Sequence, residues 1–253
     1  MTSKFSLKGR IALITGASRG IGESIAHTLA ESGALCILVS RKAEALGAVA
    51  DAIGQKGGRA EVIPCNTGDA AQIEALFREL EKRHGKLDIL VNNAATNPFF
   101  GQMLDADPRA WDKTFEVNLR GPFFLCQNAA RLMKKNPGGA IVNVSSVNGV
   151  RPAPFQGIYS ITKAGLISMT RAFAKELAPW NIRVNALLPG ITDTKFAAAL
   201  IENQDILNMA LRQVPLGRCA RPEEMAGAVL YLVSDAASYT TGSCITCDGG
   251  MLA

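Results

Sequence analysis

Histidine is scarce in this chain. His27 and His84 are the two in 253 residues, both in helical patterns without an acid or serine spaced as a partner. That argues against histidine-based acid–base chemistry and against a histidine-rich metal centre. The six cysteines, Cys36, Cys65, Cys126, Cys219, Cys244 and Cys247, form no disulfide framework. One C-x-x-C occurs at Cys244–Cys247, but no second pair accompanies it. It lies in a short apolar run that reads as a strand, so its thiols are read as structural. Unpaired cysteines suit a reducing compartment, and the expected location is cytoplasmic. No apolar stretch of about 18 residues is present to span a membrane, and Met1–Phe5 is not followed by an apolar signal core. The net charge of +5 is dispersed, with no basic run longer than Lys134-Lys135. Nucleic acid is therefore not an expected partner. Linkers, internal repeats and low-complexity segments are also missing.

What is present is apolar and regular. Hydrophobic residues make up 48% of the chain, enough for one sizeable core. Strands are expected at 11–14, 35–39, 60–64, 87–91, 140–144, 182–188 and 243–246. Helices are expected at 21–31, 42–55, 70–83, 108–135, 159–177, 196–211 and 222–233, the fourth broken near Gly121-Pro122. Uninterrupted apolar strands alternating with helices predict an α/β fold. Its core would be a doubly wound parallel sheet of about seven strands, helices on both faces, in one domain.

The first strand runs into Thr15-Gly16-Ala17-Ser18-Arg19-Gly20-Ile21-Gly22. Glycines here tighten a strand-to-helix turn and let a diphosphate approach main-chain N–H groups at a helix start. The spacing is G-x-x-x-G-x-G rather than G-x-G-x-x-G. The second strand ends at Val39-Ser40-Arg41-Lys42. An acid usually stands there to accept from a ribose 2′-hydroxyl. Here Ser40 takes that place and no carboxylate is present to repel a 2′-phosphate. Arg19 and Arg41 are suited to pair with one, so NADP(H) is expected over NAD(H).

Ser145 to Lys163 is the stretch around which the chemistry gathers. Tyr159 and Lys163 are four residues apart, on one face of a helix. Ser146 precedes Tyr159 by thirteen residues, room for a strand end and a loop to fold back over that helix.

With Gly16/Gly20/Gly22, Asn92-Asn93-Ala94-Ala95, Asn118, Ser146, Tyr159-x-x-x-Lys163 and Pro189-Gly190 in this order, the whole chain resembles the short-chain dehydrogenase/reductase family. The resemblance implies a Rossmann-type sheet, residues 1–145 mainly binding cofactor and 146–253 carrying catalytic residues, substrate loops and the last strand. It assigns Asn93 and Ala94 to the adenosine side of the groove, with Asn66 and Thr67 at the adenine. Pro189 and Gly190 would close against the nicotinamide, with Thr192 and Thr194 near its carboxamide and the diphosphate. Lys163 would also bind the nicotinamide ribose, and Asn118 would hold a water linking Lys163 to solvent. Ala95 departs from the usual Gly. Within the family, Asn97–Phe100 and Trp111–Thr114 look like the NADPH-dependent retinal and ketone reductases, although the tail Met251-Leu252-Ala253 lacks a peroxisomal Ser-Lys-Leu. A likeness to 3-oxoacyl-carrier-protein reductases is almost as good. The family also implies a homotetramer formed through helices 108–135 and 157–178.

The expected reaction interconverts a carbonyl and a secondary alcohol. Tyr159 would give or take the proton, and Ser146 would hold the substrate oxygen. A free phenol ionises near pH 10, so acting near neutrality asks for about 4 kcal/mol of phenolate stabilisation. Lys163 and the positive nicotinamide ring are expected to supply it. Phe99, Phe100, Val150, Pro154, Phe155, Met209 and Leu211 predict an apolar substrate pocket of medium size, with 194–214 as a candidate lid. The competing readings are an acyl-thioester ketoreductase, with Arg151 and Arg212 as docking cations, and a dinucleotide-sensing regulator without turnover.

Overall fold

The central strands are dominated by apolar residues and buried on both faces, as parallel strands between helix layers must be. The structure is a computed structural model that describes residues 4–136, 138–197 and 204–253. Seven strands form one all-parallel sheet: β1 (Ile11–Thr15), β2 (Leu35–Val39), β3 (Arg59–Val62), β4 (Ile89–Asn92), β5 (Gly139–Val144), β6 (Ile182–Pro189) and β7 (Cys244–Cys247). Their order is β3-β2-β1-β4-β5-β6-β7. The order reverses between β1 and β4, which opens a crevice at their carboxyl ends.

Helices α1 (Gly20–Glu31), α2 (Ala43–Gln55) and α8 (Glu223–Val233) cover one face around Ile14, Leu38 and Val229. Helices α3 (Ala70–His84), α5 (Gly121–Met133) and α6 (Gly157–Leu177) cover the other around Leu13, Leu90 and Ile141. Caps set their ends. Asp69 accepts from the N–H groups of Ala71 and Gln72 to start α3, and Gly85 ends it at φ 68°. Asp107 and Pro108 start α4 (Pro108–Phe115). The half-buried Arg183 on β6 donates to the carbonyls of Leu232 and Ser234 and so closes the C-terminal end of α8.

The 108–135 helix is interrupted near Gly121-Pro122 as expected, as two α-helices separated by a π-helical turn at Glu116–Arg120. The π-turn leads into close packing: a Cβ on Gly121 would lie 2.0 Å from the Thr67 carbonyl oxygen, so only glycine fits there. One expectation needs correction. The expected 196–211 helix is a 3-10 turn at Lys195–Ala197 followed by α7 (Gln204–Leu211). Residues 198–203, within the candidate lid, lie outside the described residues.

Candidate active site

The glycine turn is built against the end of β4. A Cβ on Gly22 would lie 2.3 Å from the Gly16 carbonyl oxygen and 2.4 Å from Asn93 Nδ2, so only glycine allows this approach. Gly16 and Gly20 adopt φ of 67° and 60°, the left-handed region glycine enters freely. The Asn93 amide donates to the carbonyls of Thr15 and Gly16. The Thr15 hydroxyl accepts from the N–H groups of Asn93 and Ala94 at 3.0 and 3.1 Å. Thr15 is thus a latch between β1 and β4 that sequence reasoning passed over; its only sequence signal is a hydroxyl at the strand end before the first glycine. Asn93 and Ala94 brace the turn from beneath.

This turn fits a dinucleotide diphosphate. Helix α1 begins at Gly20, and its preceding residue Arg19 is extended and offers no side-chain cap. The N–H groups of the first turn therefore have no capping side chain and are available to an anion. Thr194 flanks the same turn, its Cγ2 3.2 Å from where a Gly20 Cβ would be. Ser18 and Ile21 are half-buried on the turn. Arg19 follows β1 and Ser40 and Arg41 follow the paired strand β2; both arginines are exposed and Ser40 is half-buried, and among the described residues neither arginine forms an ion pair.

Asn66 accepts from the Gly68 N–H through Oδ1, and Thr67 beside it is buried. Across the sheet, Pro189 ends β6 and Gly190 donates to the Cys247 carbonyl at 2.9 Å. A Gly190 Cβ would lie 2.7 Å from Asp248 Cα, so this corner is also glycine-only. Thr192 is buried and its hydroxyl donates to the Gly190 carbonyl, folding the segment back toward the sheet.

The end of β5 and the first turns of α6 bring Ser146, Tyr159 and Lys163 together. Ser146 is extended, and its hydroxyl accepts from the Asn148 N–H at 3.1 Å. Tyr159 is 7% exposed and Lys163 2%. The Lys163 Nζ donates to the Val144 carbonyl at 2.7 Å and lies 5.5 Å from the Tyr159 ring centroid. The π-turn presents Asn118, which is buried. Its amide donates to the Thr96 carbonyl at 2.8 Å and to the Thr162 hydroxyl at 3.3 Å, and its Oδ1 accepts from the Thr96 N–H at 2.8 Å. Asn118 therefore pins the segment after β4 to α6. Thr162, whose hydroxyl also donates to the Tyr159 carbonyl at 2.7 Å, is a second polar brace the sequence did not disclose.

Burial dominates the electrostatics of the tyrosine and the lysine. Burial pushes the Tyr159 phenol up to about 12, and a hydrogen bond with Ser146 opposes this only in part. Burial draws the Lys163 ammonium down to about 7. In both groups the removal of the charged form from water is the largest cause.

Phe100, Val150, Phe155 and Met209 are exposed, Phe100 meets Phe155 at 5.9 Å, and the Phe196 and Tyr159 ring centroids are 5.7 Å apart. The cysteine pair is structural. Cys244 packs with Ile167 and Leu188 on one face of β7, and Cys247 packs on the face that meets α8. No cluster of His, Cys, Asp or Glu suited to a metal occurs among the described residues, and none of their helices is long and apolar enough to cross a membrane.

A family model described as Enoyl-(Acyl carrier protein) reductase matches residues 16–252. The 3-oxoacyl-[acyl-carrier-protein] reductase FabG of Aquifex aeolicus (strain VF5) is 42% identical over 251 residues, covering 98% of this chain and 99% of that protein. Dehydrogenase/reductase SDR family member 4 of Homo sapiens is 36% identical over 250 residues, covering 99% and 90%. The crystal structure of a gluconate 5-dehydrogenase from Burkholderia cenocepacia J2315, in complex with NADP and tartrate, superposes with a TM-score of 0.95 at 32% identity, covering 98% and 97%. By the whole-length match, the seven-stranded parallel sheet and the glycine turn at its switch point, the chain belongs to the short-chain dehydrogenase/reductase family of oxidoreductases.

Proposed function

We propose that the protein interconverts a carbonyl and a secondary alcohol using NADP(H), with Tyr159 as proton donor and acceptor. One observation carries this reading: Ser146, Tyr159 and Lys163 are all buried where the end of β5 meets the first turns of α6, with Lys163 one helical turn beyond Tyr159. Bound on the glycine turn, a nicotinamide dinucleotide supplies the hydride. Ser146 orients the substrate oxygen. Tyr159 delivers a proton to that oxygen as the alcohol forms, and takes it back in oxidation. Lys163, held by the Val144 carbonyl, stabilises the phenolate and holds the cofactor ribose, while Asn118 keeps the proton path ordered. The exposed arginines Arg19 and Arg41, with Ser40 where an acid would stand, support NADP(H) over NAD(H).

The exposed apolar side chains of Phe100, Val150 and Phe155 support a fairly apolar substrate. Assembly as a homotetramer through α4, α5 and α6 is supported by the exposed Trp111, Phe123 and Ile161 on those helices, and the free cysteines support a cytoplasmic location. The similarity to FabG supports a second reading, reduction of a 3-oxoacyl thioester on a carrier protein.

A carbonyl and alcohol panel with NADPH and NADH, including 3-oxoacyl thioesters, tests both. Reduction with NADPH is expected, with Tyr159→Phe lowering kcat by roughly 10²- to 10⁴-fold. A Tyr159→Phe enzyme that keeps most of its activity overturns the proton-donor assignment. Preference for the carrier-bound thioester selects the second reading.

A further inference from the structure

Between Ser146 and Tyr159 the chain carries a polar pair that the proposed proton transfer does not use. Asn148 lies in the 3-10 turn Val147–Gly149, and its main-chain N–H is the donor to Ser146 Oγ. Its side-chain amide donates to Gln156 Oε1 at 3.3 Å. Gln156 stands at the entrance to α6, three residues before Tyr159, a spacing that brings the two onto the same side of the helix. The pair therefore adjoins both groups that would meet the substrate oxygen.

A carboxamide offers two donor hydrogens and a carbonyl acceptor. The single bond between these two leaves Asn148 Oδ1 as a free acceptor and Gln156 Nε2 as a free donor among the described residues. Neither is a buried atom without a partner; among the described residues that condition is met by His27 Nδ1 and Asn92 Oδ1. Both free ends are thus open to solvent, although Asn148 as a whole is only 8% exposed. Exchanging nitrogen and oxygen in both amides would swap the owners, with Asn148 Nδ2 as free donor and Gln156 Oε1 as free acceptor, and still leave a donor beside an acceptor. The neighbouring exposed side chains Phe100, Val150 and Phe155 are apolar. Phe155, next to Gln156, is held at φ 64°, a conformation uncommon for a bulky residue. Its carbonyl accepts from the Gly101 N–H at 3.0 Å and its ring meets Phe100 at 5.9 Å, so the segment entering α6 is pinned.

One fixed donor beside one fixed acceptor complements a hydroxyl, which both gives and accepts a hydrogen bond. A carboxylate accepts only and would face the Asn148 oxygen unpaired. We infer that Asn148 and Gln156 form a recognition subsite for a substrate hydroxyl near the reacting carbonyl, so that hydroxyketones and the diols they yield are the preferred substrates. This inference rests on the reading of Ser146 and Tyr159 given above.

The test compares butanone, 1-hydroxy-2-butanone, 4-hydroxy-2-butanone and 2-oxobutanoate with NADPH, in the wild type, Gln156→Leu and Gln156→Glu. The readout is the ratio of kcat/KM for each hydroxyketone to that for butanone within one protein, so a general loss of activity cancels. The expected ratio is at least tenfold for one hydroxyketone in the wild type, with 2-oxobutanoate below it. It should fall about tenfold in Gln156→Leu. Gln156→Glu, which keeps the shape but removes the donor, should lower it too, and serves if the leucine variant does not fold. A wild-type ratio near one, or a ratio unmoved in both variants, overturns the subsite and leaves the pair as a loop latch. Calorimetry of 1,2-butanediol and 1,3-butanediol on the NADP-loaded protein separates this from the parent reading. Diol binding that Gln156→Glu abolishes, in a wild type that reduces none of the ketones, keeps the subsite and sinks the reductase. Absence of both binding and turnover sinks the two together.

Discussion

The Ser145 hydroxyl donates to the main-chain carbonyl of Lys163 at 2.8 Å, while the Lys163 ammonium reaches back to the carbonyl of Val144 at 2.7 Å. The two bonds tie the end of β5 to one turn of α6. Gly149 closes the same junction, since a Cβ there would lie 2.8 Å from the Lys163 carbonyl. Successive residues of an extended segment point to opposite sides. Ser145 therefore faces the helix backbone, and Ser146 is left to face Tyr159.

The two serines should separate cleanly on substitution. Ser145→Ala removes a buried hydrogen bond and is expected to cost about 1 kcal/mol of stability, with a modest loss of kcat from a looser Lys163. Ser146→Ala also removes a buried hydrogen bond, from the Asn148 N–H, and should cost a similar amount of stability, but it should lower kcat at least about 100-fold through lost orientation. Thermal unfolding and initial rates on both variants check this, and the reverse pattern would exchange the roles of the two hydroxyls.

Cofactor choice should depend on Arg41. Charge-assisted hydrogen bonds contribute roughly 1.5–3 kcal/mol, less where solvent screens them. Arg41→Ala is expected to lower kcat/KM for NADPH by about tenfold and to leave NADH within about twofold. Added salt should weaken NADPH binding in the wild type more than in the variant. Equal losses with both cofactors would remove Arg41 from the 2′-phosphate site.

The sheet was legible because its central strands are buried on both faces and read as largely apolar runs, Ile11–Ile14 and Leu35–Val39 above all. The glycine turn and the Ser146–Tyr159–Lys163 set were legible because each demands a residue type at a fixed spacing. The π-turn under Asn118 was not. It leads into the close packing of Gly121 on the Thr67 carbonyl, a contact between segments 54 residues apart that no local pattern records. Thr15 and Thr162 escaped notice because a threonine that braces a site has the same local sequence as one that merely fills a strand or helix. The protonation balance of Tyr159 and Lys163 was likewise beyond reach, since it turns on how completely the folded protein excludes water from the pair.

That exclusion makes Lys163 a stability liability kept for function. The lysine side chain titrates near 10.4 in an unfolded chain, and burial lowers it to about 7 in the fold. Between those values the native state binds fewer protons than the unfolded one, so native stability rises with pH through this window. The burial cost is fully present below about pH 7 and disappears as the pH approaches the unfolded value. Its size is on the order of 4 kcal/mol from the shift alone, opposed by the hydrogen bond to Val144, about 1–3 kcal/mol once the ammonium is charged. Lys163→Met removes the buried cation without leaving a cavity. The variant should be inactive yet more stable than the wild type by about 1–3 kcal/mol at pH 6, with the difference shrinking toward zero by about pH 10. Denaturant unfolding at pH 6, 8 and 10 measures it. A variant less stable than the wild type at pH 6 would mean that the Val144 carbonyl and its neighbours compensate the ammonium more fully than burial penalises it.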